Sequence, residues 1–111
     1  MAESKIKGGF ERFTPTLKNG ASVESWGWTH GVRFGQIVMI TVWGLKMNRA
    51  ISADTAIMEI PFNSIEGVGT LSGFDNYTCN LVTSGKDISI TSQVNPNNSY
   101  FGQIIIFIDG Q

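Results

Sequence analysis

The sequence predicts an all-β domain, an antiparallel β-sandwich or jelly-roll-like fold of about eight short strands. Three observations predict this class. No window shows apolar residues at helical spacing, short runs alternate apolar with polar residues, and glycine- or asparagine-rich breaks separate those runs. The chain has 111 residues, which is enough for one hydrophobic core and too few for two.

The predicted elements follow the alternation and the turn signals. Residues 1–9 are polar with a glycine pair, which predicts an N-terminal arm or linker before a domain over residues 10–111. The His30-Gly31 pair is expected to break the second strand, and Pro61 to end the fourth. Strands are predicted at 10–17, 22–29, 36–47, 55–60, 68–71, 77–83, 87–92 and 100–109, with turns at 18–20, 84–86 and 95–98.

Two of these strands are apolar on both faces, whereas a strand of a single-layer sheet shows one polar face to water. In 36–47, one face carries Ile37, Met39, Thr41, Trp43, Leu45 and Met47, and the other Val38, Ile40 and Val42. In 100–109, one face carries Ile104, Ile106 and Ile108, and the other Phe101, Gln103, Ile105 and Phe107. One face can fill the core, and we expect another copy of the chain to cover the second.

Composition excludes several classes of function. The net charge of -1 and the lack of a basic stretch argue against nucleic-acid binding. The longest apolar run is far short of the ~20 residues of a membrane helix, so no membrane insertion is expected. The N-terminus lacks the apolar region of a signal peptide, which predicts cytoplasmic synthesis without export. The single cysteine, Cys79, predicts no disulfide and a small buried side chain.

Signals for catalysis are poor. His30 is the only histidine, there is no His/Cys cluster or calcium-loop pattern, and no glycine-rich loop stands between a strand and a helix. The carboxylates lie on separate elements, and spacing favours no catalytic pair among Glu24, Asp54, Glu59, Glu66, Asp75 and Asp87. We therefore expect no enzyme, no cofactor and no metal site.

Two groups of residues are candidates for ligand contact. Trp28, His30 and Arg33, together with Trp26, form a mixed aromatic and polar run, and aromatic faces can stack on sugar rings. Trp43 is expected in the core or in a subunit interface. The second group is Asp75, Asn76 and Tyr77, whose side chains suit the hydroxyls of a saccharide and equally suit a turn.

Part of the sequence resembles the head domains of phage tail fibres and baseplate receptor-binding proteins. In that family, an aromatic-x-Arg-x-Gly-(Asn/Gln)-x-Val segment opens the head domain, and 28–45 is similar to it around Arg33 and Gly35-Gln36. A segment similar to 51–61 follows, and an isoleucine-rich strand ends the chain, so the resemblance covers about residues 20–111. The Pro61-Phe62-Asn63 stretch departs from the family's more proline-rich segment.

The resemblance implies a homotrimeric head domain in the virion that adheres to host cell-wall saccharide and joins other tail or baseplate proteins through its N-terminal end. The family's saccharide pockets commonly use Trp, His, Asp and Arg, which are the residue types of Trp28, His30, Arg33 and Asp75. Two alternatives stay open. One is a structural trimerisation or capsid or tail decoration domain without its own ligand, and the other is a fragment of a carbohydrate-active enzyme.

Overall fold

A computed structural model describes residues 10–109 of the chain, and the predicted arm at 1–9 lies outside them. The predicted all-β antiparallel class is confirmed. Residues 10–109 contain no helix, and hence none that could span a membrane. The strands are β1 (Glu11–Phe13), β2 (Thr16–Leu17), β3 (Ala21–Phe34), β4 (Ile37–Met47), β5 (Ala56–Glu59), β6 (Ser64–Gly73), β7 (Thr78–Ser84), β8 (Asp87–Ile90) and β9 (Tyr100–Ile108).

All nine strands belong to one hydrogen-bonded sheet that curls around the core, in the order β1-β3-β4-β9-β6-β7-β8-β5-β2. Each neighbouring pair is antiparallel. The first and last strands of this order are consecutive in the chain, with only Thr14 and Pro15 between them. Pro15 separates the two, in line with the limited pairing expected of that residue. The finer assignment to a sandwich or jelly roll stays a prediction.

The core is built from the inward residues of the alternating strands. Nineteen apolar side chains are buried in one cluster, and β4 and β9 contribute Val38, Ile40, Val42, Ile104, Ile106 and Ile108 to it. Cys79 is among them, as expected. Because these residues alternate with exposed ones, the inner face of the sheet is buried in the core and the outer face is exposed to solvent.

The predicted face of Leu45 and Met47 is wrong. Both side chains are buried in the core, although Ile37, Met39 and Trp43 on the same alternation are exposed. The pairing of β4 with β9 shifts register between Trp43 and Leu45, and Gly44 adopts a φ of 73° at that point. A bulge adds one residue, so the alternation beyond it changes face. Gly44 suits this position because glycine enters the left-handed region at little cost.

The predicted break at His30-Gly31 is also wrong, since β3 runs through both residues. Gly31 pairs with Phe13 of β1, and the Phe13 ring covers the space that a side chain at Gly31 would fill. The same ring packs edge-on against Phe62, with 5.2 Å between the ring centroids. Because Gly31 has no side chain, the Phe13 ring can lie directly against the backbone of β3. The glycine therefore serves this packing contact, and the strand continues through it.

The sheet bends tightly where β6 meets β9. A Cβ on Gly69 would overlap the carbonyl oxygen of Gln103 and lie 2.5 Å from the Cα of Ile104. A Cβ on Gly102 of β9 would likewise overlap the carbonyl oxygen of Thr70 and lie 3.0 Å from the Cα of Leu71. The inner side of this bend therefore has room only for glycine at these two positions. On the outer side, the residues of β6 and β9 form one surface.

Candidate functional site

The outer face of the sheet across β3, β4, β9, β6 and β7 carries the candidate site. Its side chains stand in register from strand to strand, which arranges them in rows that run across the strands. At one end, two rows are largely aliphatic, and all of their side chains except that of Val32, which is half-buried, are exposed. These aliphatic rows consist of Phe34, Ile37 and Phe107, and of Val32, Met39, Ile105, Val68 and Val82.

A polar row follows next to them. His30 pairs with Thr41, Thr41 with Gln103, Gln103 with Thr70, and Thr70 with Asn80 across β3, β4, β9, β6 and β7. Within residues 10–109, the side chains of Thr41, Thr70 and Gln103 make no hydrogen bond to the protein. Their hydroxyl and amide groups therefore remain available to a molecule lying on the outer face.

An aromatic cluster lies on the other side of the polar row. Trp28 pairs with Trp43, and Trp43 with Phe101, and Phe74 packs on both Trp43 and Phe101 with centroid distances of 5.4 Å. Trp26 completes the cluster at 6.0 Å from Phe74. Trp26 and Trp28 are 52% and 40% exposed. Trp43 is 41% exposed in the single chain, so it is not a core residue.

The first predicted group of site residues is divided between the two faces. Trp28 and His30 lie two residues apart on the outer face and stack, with 4.8 Å between ring centroids and 23° between planes. Arg33 lies at the position of β3 that pairs with the buried Val38, so it belongs to the other face. Its guanidinium lies 5.0 Å from the Phe62 ring centroid and 4.0 Å from a carboxylate oxygen of Glu11.

The second predicted group, Asp75, Asn76 and Tyr77, forms the turn between β6 and β7. The Asp75 carboxylate accepts hydrogen bonds from the backbone N–H of Tyr77 at 3.1 Å and from the side-chain amide of Asn98 at 2.8 Å. Asn76 adopts a φ of 76°, and the Tyr77 hydroxyl donates to the carbonyl of Gln93 at 2.5 Å. These contacts hold the turn together, and Phe74 connects it to the aromatic cluster.

The outer face carries groups that could bind a molecule non-covalently. Aromatic rings, hydroxyls and an amide lie together there, and they can stack and exchange hydrogen bonds. Cys79 points into the core, where burial raises the pKa of its thiol, so the chain's single sulfhydryl is remote from this face. Among residues 10–109, no group of three or more His, Cys, Asp or Glu side chains could hold a metal ion.

Sequence reasoning missed the polar row and the roles of Phe74 and Phe101. The alternation of β9 already placed Phe101 and Gln103 on one face, but their partners on β3, β4 and β6 are remote in the chain. No protein-family model matches the chain, and comparisons with curated proteins and with solved structures gave no match. The outer face and the resemblance of residues 20–111 are therefore the grounds on which a function is inferred.

Proposed function

We propose that this chain is the head domain of a phage tail fibre or baseplate receptor-binding protein. In this proposal it is a non-catalytic module of the virion that adheres to saccharide on the host cell surface as a homotrimer. It connects to other tail or baseplate proteins through its N-terminal end. The resemblance of residues 20–111 and the all-β antiparallel fold support this proposal, and the outer face provides the physical argument for it.

The single observation that carries the proposal is the exposed apolar surface of the outer face. Six aromatic side chains are 40–55% exposed there, namely Trp26, Trp28, Phe34, Trp43, Phe74 and Phe107. At about 150–250 Å² for a whole aromatic side chain, they leave roughly 400–700 Å² of apolar surface in contact with water. The polar row divides this surface into two parts, and a stable interface takes about 800 Å² from each partner.

The aliphatic rows add Met39, Ile105 and Val68 to this area, so the outer face is large enough to hold copies of the chain together. A closed cyclic assembly would cover these rows in every copy at once. A trimer would also make weak saccharide contacts effective, because three sites on one rigid body raise the effective concentration of the second and third contacts. The exposed aromatic cluster, with the stacked Trp28 and His30, supplies surfaces of the kind that pack against sugar rings.

The proposal is tested by sedimentation equilibrium of the purified chain, followed by a glycan array probed with the same sample. We expect the mass of three subunits and binding to a restricted set of bacterial surface glycans. The matched control is the Trp28→Ala variant, which should keep the trimer mass and lose glycan binding. A chain that sediments as a single subunit at micromolar concentration, or a trimer that binds no glycan, would contradict the proposal.

A structural trimerisation or decoration domain is the second candidate function. It is favoured by the apolar character of the aromatic cluster, because a neighbouring copy could cover Trp26 and Trp28 as well as the aliphatic rows. In that case Trp28→Ala would lower the stability of the trimer, and no glycan-binding phenotype would appear. Tryptophan fluorescence quenching by acrylamide in the assembled protein separates the two candidates, since a covered cluster is protected from the quencher.

A further inference from the structure

The turn from β2 to β3 contains the only asparagine of the chain that is followed by glycine. Asn19 and Gly20 adopt φ values of 59° and 98°, and the N–H of Ala21 donates to the carbonyl of Lys18 at 3.2 Å. Two central residues with positive φ are typical of a type I′ turn, which favours Asn-Gly. Asn19 is exposed, so water can reach its side chain.

Two hydrogen bonds attach this turn to β5. The side-chain amide of Asn19 donates to the carbonyl of Ala56 at 2.7 Å, and the backbone N–H of Lys18 donates to the carbonyl of Ile57 at 3.0 Å. β2 is only two residues long, so the turn supplies a large part of its attachment to β5. The turn therefore helps to hold one end of the nine-stranded sheet in place.

The Lys18 side chain adds to this attachment. Its ammonium lies 3.3 Å from a carboxylate oxygen of Glu59 in β5 and 2.6 Å from one of Asp87 in β8. All three side chains are partly exposed, so each ion pair contributes little by itself. Together they connect the turn to two strands, and one substitution at Lys18 removes both while leaving Asn19 intact.

An asparagine followed by glycine can lose its side-chain amide without an enzyme. The backbone nitrogen of Gly20 attacks the side-chain carbonyl carbon of Asn19, its proton passes through water to the amide nitrogen, and ammonia leaves. Water then opens the resulting succinimide ring to aspartate or isoaspartate. Gly20 has no side chain that would hinder the attack. In the folded turn, the hydrogen bond to Ala56 restrains the side chain of Asn19, so the reaction is faster when the turn detaches from β5.

Neither product can restore the contact with β5. Aspartate places a carboxylate, which only accepts hydrogen bonds, against the carbonyl oxygen of Ala56, which is itself an acceptor. Isoaspartate adds a methylene group to the backbone of the turn, so the geometry of a two-residue turn is lost. Deamidation of Asn19 therefore removes an attachment that the turn cannot form again.

We infer that Asn19 is a site of spontaneous deamidation, that the attachment of its turn to β5 slows the reaction, and that the product releases β2 from β5. Ammonia is lost for good, so chains opened at this end of the sheet accumulate with time. Release of β2 would leave the backbone of β5 at 58–59 without its neighbour. This inference does not depend on the proposed function.

The first measurement follows each asparagine by peptide mass mapping of the full chain, aged in mildly alkaline buffer with and without urea. Asn63 and Asn98, which are each followed by serine, are internal controls for reactivity. We expect Asn19 to be the fastest site in urea. In the folded chain it should react roughly 2- to 13-fold more slowly than in urea, the range that corresponds to breaking one hydrogen bond.

Two lysine variants test whether the attachment controls the rate. Lys18→Gln removes the ion pairs to β5 and β8, so it should speed deamidation of Asn19 in the folded chain and leave the rate in urea unchanged. The matched control is Lys46→Gln, because the ion pair of Lys46 with Glu24 connects β4 to β3. This variant should react like the wild type under both conditions.

Hydrogen exchange measures the consequence for the fold, in the deamidated chain and in Asn19→Asp. The Lys18 N–H should exchange about tenfold faster than in the wild type, whereas Ile104 in the centre of the sheet should keep its rate. Wild-type exchange at Lys18 in both proteins would overturn the release of β2. Equal rates at Asn19 with and without urea would overturn the control by attachment. If Asn19 reacted no faster in urea than Asn63, it would not be the site.

The outcomes are separate from those of the adhesion proposal. Deamidation and hydrogen exchange are measured on the full chain without any glycan, and each result is compared with an asparagine or an amide of the same chain. A chain that binds no glycan would therefore leave this inference intact, and an unreactive Asn19 would leave the adhesion proposal intact.

Discussion

Ile105→Lys is the substitution that most directly tests whether copies of the chain meet through the outer face. Ile105 stands in the middle of the aliphatic rows, between Met39 of β4 and Val68 of β6. It is 43% exposed in the single chain. A lysine at this position can extend its ammonium into water in an isolated subunit, but it would place a charge within an apolar contact between subunits.

The expected magnitude follows from that exposure. Full burial of an isoleucine is worth about 1.5–3 kcal/mol, so covering the exposed 43% of Ile105 contributes about 0.6–1.3 kcal/mol per copy. Three copies give about 2–4 kcal/mol, which corresponds to a loss of roughly 30- to 700-fold in the trimer association constant. The cost within one subunit is smaller, about 0.2–1 kcal/mol for the lost cross-strand contacts with Met39 and Val68.

Sedimentation equilibrium over a concentration series measures the association constant, and circular dichroism checks that the variant stays folded. The control is Ser52→Lys, which adds the same charge to an exposed position between β4 and β5. We expect Ile105→Lys to dissociate to folded subunits and Ser52→Lys to remain assembled. If Ile105→Lys were to associate as strongly as the wild type, the outer face would not be the surface through which the copies meet.

Three further substitutions test the fold. Gly69→Ala should lower the free energy of unfolding in urea by about 1–3 kcal/mol, because its Cβ would lie 2.5 Å from the Cα of Ile104; an unchanged midpoint contradicts the tight bend. Tyr100→Phe should lower the free energy of unfolding by about 1–3 kcal/mol, because it removes the hydroxyl oxygen that accepts a hydrogen bond from the Asn95 N–H; a neutral result would mean that water replaces the hydroxyl. Burial raises the pKa of the Cys79 thiol, so the unfolded chain loses that proton first and wild-type stability declines above about pH 8.5. Cys79→Ala should reduce this decline between about pH 7 and about pH 9.5, and equal slopes for the two proteins would contradict it.

Much of the fold could be predicted from the sequence because alternation and turn residues are local signals. The alternation of β9 correctly grouped Ile104, Ile106 and Ile108 on one face, which the structure shows to be the buried one. The turn residues Asn19 and Gly85 were also predicted correctly, and they have φ values of 59° and 60°. Gly44 could not be recognised as a bulge, because a glycine in a strand gives no indication of which neighbour shifts register. That one residue moved Leu45 and Met47 into the core.

The candidate site was only partly predictable for a similar reason. Trp28 and His30 differ by two positions, so the period of a strand places them on one face, and the same period places Arg33 on the other. That separation was therefore available from the sequence. The polar row was not, because Gln103 of β9 meets Thr41 of β4 and Thr70 of β6 only after distant parts of the chain have paired.

The connection from β1 to β2 through Thr14 and Pro15 has a consequence for how the molecule can aggregate. The outermost strands of the order are three and two residues long and follow one another directly in the chain. The two outermost strands therefore offer a foreign strand only short runs of free backbone N–H and C=O groups, but β3 extends beyond β1, and its residues 21–30 have no strand partner on that side within residues 10–109. Strand addition by a second chain would therefore begin beside residues 21–30 of β3, and not beside β1 or β2.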